Sequence, residues 1–138
     1  MRKKNLIIYF LIFLIVILLA NYLLTLSGIV AIPNIAALDY YSIIHALSTG
    51  GTAFFILAYT YDNIKLRKIA LSLLFASIII WEIIENTLLR GTRFSGQESL
   101  ANSGMDILIG VISMAAIIYF YTRNERRRKS DSRIGNKG

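Results

Sequence analysis

Cysteine is absent from this 138-residue chain, and proline occurs once, at Pro33. Without thiols the protein can form no disulfide, no thiolate metal site and no thiol nucleophile, although the lack of cysteine does not identify its compartment. The sequence also has no internal repeat and no strict alternation of apolar and polar residues, which speaks against a β-barrel. Nucleophile-elbow, Walker-loop and glycine-rich phosphate-binding motifs are missing too. These absences exclude several common kinds of enzyme site.

Hydrophobic residues make up 56% of the chain, and they fall into four blocks of about twenty residues. A helix of that length rises about 30 Å, the thickness of the hydrocarbon layer of a bilayer. No segment between the blocks is large enough to build its own core. We therefore expect an all-α polytopic membrane protein, a four-transmembrane-helix bundle over residues 1–122. Its predicted spans are about 6–30, 41–61, 69–89 and 100–121.

The first block follows a basic segment at 2–4, as the apolar region of a signal peptide would. The block is longer than such a region and has no clear small-x-small cleavage site before Pro33. We expect it to be retained as a span.

Positive charge is unevenly distributed along the chain. Thirteen of the fifteen Lys and Arg residues lie in the N-terminal segment, the polar turn at 62–68 and the tail at 123–138. The positive-inside rule then places both termini in the cytoplasm and the protein in the cytoplasmic membrane. Topology and adhesion to anionic lipid account for the net charge of +7, so membrane lipids, and not nucleic acid, are the expected partners. The tail is expected to be irregular beyond its first residues.

Ionisable side chains within the spans share one depth. His45, Glu82, Glu85 and Asp106 lie about 6–10 Å from the outer ends of spans two, three and four, and Asn21 lies in the outer half of span one. A charged carboxylate in hydrocarbon costs about 2.5–3.5 kcal/mol, and helix packing does not require three of them. The pattern predicts a polar site in the outer leaflet.

Close carboxylates cannot all ionise, so the cluster should share protons or bind one divalent cation. Carboxylates with a histidine are ligands that helical bundles use for transition metals. The candidate catalytic and metal-binding residues are Glu82, Glu85, His45 and Asp106. A metal-activated water, or a glutamate base, could attack an ester or phosphoester at head-group depth. The candidate substrate-binding residues are Asn86, Ser99, Asn102, Arg90 and Arg93.

Two other functions remain open at this point. One is proton- or cation-coupled binding or transport, which would call for a homo-oligomer because four spans make a thin pathway. The other is a membrane scaffold subunit without activity of its own. Stripes of small and hydroxyl side chains on spans two and four are typical of helix packing in lipid and are interpreted as a packing seam: Ser48, Thr49, Thr52, Ser103 and Ser113.

Three motifs resemble an uncharacterised family of small bacterial integral membrane proteins, a domain of unknown function. The family carries I-I-H-G, W-E-x-x-E-N and D-S-x-x-N-S-x-x-D. The corresponding segments here are 43–46 (IIHA), 81–86 (WEIIEN) and 98–106 (ESLANSGMD), with Ala46 in place of Gly and Glu98 in place of Asp. The resemblance covers about seventy residues. It implies that His45, Glu82, Glu85, Asn86, Ser99, Asn102 and Asp106 act as one unit, and it implies no particular reaction.

Overall fold

The computed structural model describes residues 3–27, 40–87 and 100–135, which form four α-helices and one turn. The helices are α1 (Lys3–Ser27), α2 (Tyr40–Tyr59), α3 (Ile64–Thr87) and α4 (Leu100–Gly135). Each helix is long and apolar enough to cross a membrane, and the described residues contain no strand. The predicted all-α, four-span architecture is confirmed.

Burial in this protein is reversed relative to a water-soluble domain. Among the described residues only four hydrophobic side chains are buried, against eight polar or charged ones, while thirty large hydrophobic side chains are exposed. Apolar side chains facing outward match a hydrocarbon solvent, and polar side chains then gain from facing one another inside the bundle. This distribution is that of a multi-pass membrane protein.

Helix α2 is the centre of the bundle. It contacts α1, α3 and α4; α3 also contacts α4, and α1 packs on α2 alone among the described helices. Two glycines of α2 permit these approaches, because a Cβ at Gly50 would collide with Ser113 of α4 and a Cβ at Gly51 with the ring of Phe13 of α1. The Phe13 ring also lies 5.6 Å from that of Phe55, so aromatic contacts hold α1 against α2.

Helix α3 begins earlier than predicted. The sequence places its start near residue 69 after a polar turn at 62–68, whereas the structure starts the helix at Ile64. The Oδ1 of Asn63 accepts a hydrogen bond from the Leu66 amide at 2.9 Å, which is the geometry of a helix N-cap. Three basic residues of the predicted turn, Lys65, Arg67 and Lys68, therefore belong to the first turns of α3.

Helix α4 continues beyond the predicted end of span four at Tyr121, as far as Gly135. The expectation of an irregular tail is wrong for most of that segment, because arginine, glutamate and lysine are good helix formers. The first turn of the extension is also tied to α3: Nη1 of Arg67 lies 3.4 Å from Oε2 of Glu125. Nη2 of the same guanidinium donates to the Tyr61 carbonyl at 3.0 Å.

The three basic segments lie at one end of the bundle. Leu6 near the start of α1 shares an apolar cavity with Thr60 and Leu66 at the α2–α3 turn, and Arg67 reaches Glu125 of α4. We call this the basic end. The opposite end, towards the start of α2 and the end of α3, contains the ionisable residues described next and is called the site end.

Candidate functional site

Three ionisable side chains from three helices converge at the site end. His45 of α2, Glu82 of α3 and Asp106 of α4 each offer a ligand atom within 4.8 Å of the other two. Glu82 and Asp106 are 3% and 1% exposed, so both carboxyl groups lie within the bundle and not on its lipid-facing surface. The structure thus brings together three of the four residues that the sequence singles out as catalytic or metal-binding. We refer to His45, Glu82 and Asp106 as the triad.

His45 and Glu82 face each other across the α2–α3 contact. Nδ1 of His45 lies 3.8 Å from Oε1 of Glu82, and the side chains are 21% and 4% exposed. This separation is an ion-pair distance when the imidazole is protonated and exceeds a direct hydrogen bond. His45 is therefore the member of the pair that can be reached from outside the bundle, whereas the Glu82 carboxylate is buried.

Asp106 is held by a hydroxyl from α2. The Oγ of Ser42 donates a short hydrogen bond to Oδ1 of Asp106, and both residues are buried. Ser42 precedes His45 by three positions, and residues three apart share a helix face. One face of α2 therefore presents both the histidine and the group that orients the aspartate.

An amide on α3 fixes the neighbouring α3–α4 contact. The Nδ2 of Asn86 donates to the Ser103 Oγ at 2.7 Å and to the Glu82 carbonyl, one turn earlier, at 2.8 Å. Asn102 and Ser103 are themselves buried. Asn86 and Asn102, predicted to bind substrate, thus lie beside the triad, and Asn86 bridges the two helices that carry Glu82 and Asp106.

The seam between α2 and α4 brings the helices close enough for the triad to form. Ser113 donates to the Ala46 carbonyl at 2.7 Å, next to the small Gly50. Gly110 faces Thr49, since a Cβ there would lie 3.4 Å from the threonine hydroxyl. These contacts agree with the packing interpretation of Thr49 and Ser113, and Ser103 packs instead at the α3–α4 contact, where it accepts from Asn86.

Glu85 lies outside the triad. It lines a cleft of about 550 Å³ between α1 and α3, over the surface of α2. His45 lines the same cleft, as do Asn21 of α1 and the two hydroxyl residues Ser48 and Thr52. The cleft therefore leads from the surface to the exposed side of His45, with Glu85 on its wall.

Three candidate residues cannot be placed. Arg90, Arg93 and Ser99 lie outside the residues that the structure describes. Their assignment to substrate binding stays a prediction from the sequence.

Two residues with buried polar contacts were not predicted from the sequence. Ser42 was not singled out, although its position one turn before His45 on a polar helix face was a usable signal. Arg67 is one of the basic residues from which the membrane topology is predicted, yet it is only 9% exposed and pairs with Glu125. A single basic residue near a span end gives no sign in the sequence that it is buried.

The triad can bind a cation or share protons. Zinc–ligand distances of about 2.0–2.2 Å put two ligands of one ion at most about 4.4 Å apart. The His45–Glu82 separation of 3.8 Å meets that limit, and the ligand atoms of all three residues lie within 4.8 Å of one another, slightly beyond it. One imidazole and two carboxylates suit zinc, manganese or iron.

Comparisons of the chain with protein-family models, with curated proteins and with solved structures found no match.

Proposed function

We propose that this protein is a metal-dependent hydrolase or transferase of the cytoplasmic membrane that acts on a lipid or lipid-linked substrate. Its termini lie in the cytoplasm, and its triad lies in the outer leaflet. His45, Glu82 and Asp106 bind one divalent cation, and the substrate approaches through the cleft beside Glu85.

The observation that carries this proposal is the burial of two carboxylates beside a histidine, on three different helices. An isolated buried charge is costly, whereas a bound cation repays the desolvation of both carboxylates. A set of three protein ligands also leaves a coordination position open, as catalytic zinc sites do and structural ones do not.

When bound, a divalent cation would supply a Lewis acid and a bound water acidic enough to act as a nucleophile near neutral pH. The surrounding residues then have distinct tasks. Ser42 holds Asp106 in position, and Asn86 fixes the spacing of α3 and α4. Glu85 lies on the wall of the cleft that His45 also lines, where its carboxylate would serve as the general base for the attacking water.

The position of the cleft supports a substrate that arrives from within the bilayer. The cleft lies between α1 and α3, two helices that do not contact each other among the described elements, so it opens sideways. Its walls are mainly alkyl and aromatic side chains, and the ionisable groups among them are His45 and Glu85. An amphiphile could place its polar part at the triad and keep its apolar part in hydrocarbon.

The side chains between the two ends of the bundle support a catalytic function better than a transport function. Ala53 and Leu57 of α2 are 0% and 1% exposed and separate the triad from Arg67 at the basic end. A proton or cation pathway needs polar groups or water across the whole span. Between the triad and Arg67 the described helices instead present mainly apolar side chains, both at Ala53 and Leu57 and along the cavity that Phe55 and Ile56 line.

The resemblance to the bacterial family of unknown function remains a proposal. It is supported by the arrangement of its motifs: His45, Glu82, Asn86 and Asp106 come from all three matched segments and lie close together. We infer that the family's matched residues form one metal-binding unit.

Elemental analysis of the purified, detergent-solubilised protein tests the proposed function. We expect stoichiometric zinc, manganese or iron in the wild-type protein and its loss in Glu82→Gln, because the amide is a poor metal ligand. Glu125→Gln makes the same substitution at the basic end and should retain the metal. A folded wild-type protein that binds none of these metals after incubation with each would falsify the proposal and leave a proton-sharing cluster or a scaffold.

A further inference from the structure

A second cavity continues the cleft towards the basic end. It has a volume of about 300 Å³ and is lined mainly by apolar side chains of α1, α2 and α3, including Ile7, Ile56 and Ala70. Phe10 and Thr52 line both cavities, so the two adjoin. We call the combined feature the α1–α3 groove. It follows α2 from the level of His45 to that of Tyr59.

The polarity of the α1–α3 groove changes along its length. His45, Glu85 and Asn21 lie at its site end. Towards the basic end the walls become Leu6, Ile7 and Phe55, with a few hydroxyl groups among them. A groove that is polar at one end and apolar along the rest complements an amphiphile with a head group and a hydrocarbon chain.

The length of the α1–α3 groove suits an extended hydrocarbon chain. Its fourteen-residue axial length corresponds to about 21 Å at the helical rise, longer than the roughly 15 Å of one hydrocarbon leaflet. A single alkyl chain is narrow enough to enter.

We propose that the α1–α3 groove binds one acyl chain of a membrane lipid from the leaflet that contains the triad, with the head group beside His45 and Glu85. The inference rests on the proposed function and names the substrate class of the same site. Lipid offers an apolar chain no hydrophobic gain on entering such a groove. Retention comes instead from dispersion contacts with three helices, which fluid lipid does not match in density.

Photocrosslinking tests this assignment. The probe is phosphatidylcholine with a diazirine midway along one acyl chain, present at low mole fraction in vesicles of unlabelled phosphatidylcholine that contain the full-length protein. Peptide mass spectrometry locates the adducts. We expect adducts to concentrate on the groove segments of α2 and α3, and competition by long-chain but not short-chain lysophosphatidylcholine. Equal labelling of all lipid-facing helices in the wild-type protein overturns the proposal.

A matched pair of substitutions checks the position. Ala70→Phe fills the apolar cavity, so that groove labelling should fall to the background of the exposed α4 surface. Ala115→Phe places the same ring on that exposed surface and should leave groove labelling unchanged. Undiminished labelling in a folded Ala70→Phe protein contradicts the proposal; if that variant does not fold, the wild-type adduct map and competition decide.

Metal analysis of the same preparations separates this inference from the proposed function. Groove labelling without bound metal would remove the metal-dependent reaction and keep the lipid site. Bound metal with evenly distributed adducts would remove the lipid site and keep the metal centre.

Discussion

Ser42 and Asp106 form a buried, hydrogen-bonded pair within the site. Asp106 is 1% exposed, and the hydroxyl of Ser42 donates to its Oδ1. The same carboxyl group offers an oxygen within 4.8 Å of ligand atoms of His45 and Glu82, the partners with which it could share a cation. Groups that orient metal ligands in this way are second only to the ligands in setting affinity.

We predict that Ser42→Ala lowers the affinity for the divalent cation about 10–100-fold, the usual cost of losing a group that orients a ligand. Competition with a chelator of known affinity, on detergent-purified protein, measures the change. Ser72→Ala is the control, because Ser72 is exposed on α3 and away from the triad.

Equal affinities of the Ser42→Ala and Ser72→Ala proteins would show that the Ser42 hydroxyl does not orient Asp106 for metal binding. Loss of the metal in Asp106→Asn would then be needed to keep Asp106 as a ligand.

At the scale of elements, the α2–α4 contact decides whether the triad forms. Small residues let two helices approach closely in lipid, where dispersion and interhelical hydrogen bonds drive association. Here Gly50 lies against Ser113, and the hydroxyl of Ser113 is committed to the Ala46 carbonyl. The serine cannot turn away from an added methyl group without losing that hydrogen bond.

We therefore predict that Gly50→Ala destabilises the protein by about 1–3 kcal/mol, the range for overpacking a close contact. Its thermal unfolding midpoint in detergent should fall. Gly104→Ala is the matched control, since a Cβ at Gly104 has no neighbour within 4 Å. It should stabilise by up to about 1 kcal/mol through helix propensity alone.

Should Gly50→Ala raise the midpoint as Gly104→Ala does, the α2–α4 seam is looser than described. The positions of His45 and Asp106 would then not be fixed by that contact.

The fold of the whole molecule could be predicted from its sequence more fully than the direction of its side chains. Four apolar blocks without alternating polarity were enough to predict the fold, because only helices and closed barrels satisfy their backbone hydrogen bonds in hydrocarbon. The positions of His45, Glu82 and Asp106 along their spans were enough to predict that the three residues lie at one end of the bundle. The direction in which each side chain points around its helix was harder to predict, since residues three apart differ by about 60° around the axis. That rotation directs Glu82 into the bundle and Glu85 towards the α1–α3 groove.

Helix ends were predicted least well, because local groups set them and composition does not. The cap at Asn63 starts α3 five residues early, at Ile64, and favourable propensity carries α4 to Gly135. A hydropathy pattern ends where charge begins, although a charged helix can continue into water.

The distribution of charge predicts how the molecule lies in the membrane. The basic ends of α1, α3 and α4 meet at one end of the bundle, and each Lys or Arg near an anionic surface contributes about 1 kcal/mol. We therefore expect the basic end in the cytoplasm and the triad in the outer leaflet. Because the chain has no cysteine, single-cysteine variants need no altered background.

Lys65→Cys and Asn124→Cys place thiols at two exposed positions of the basic end, and Gly96→Cys places one in the loop predicted to be outside. A membrane-impermeant maleimide applied to intact cells should label Gly96→Cys at once and the other two only after permeabilisation. The reverse pattern would put the triad in the cytoplasmic leaflet and give it access to soluble nucleotide substrates. Labelling of Lys65→Cys and Asn124→Cys from opposite sides would contradict the bundle itself, since Arg67 and Glu125 could not then pair.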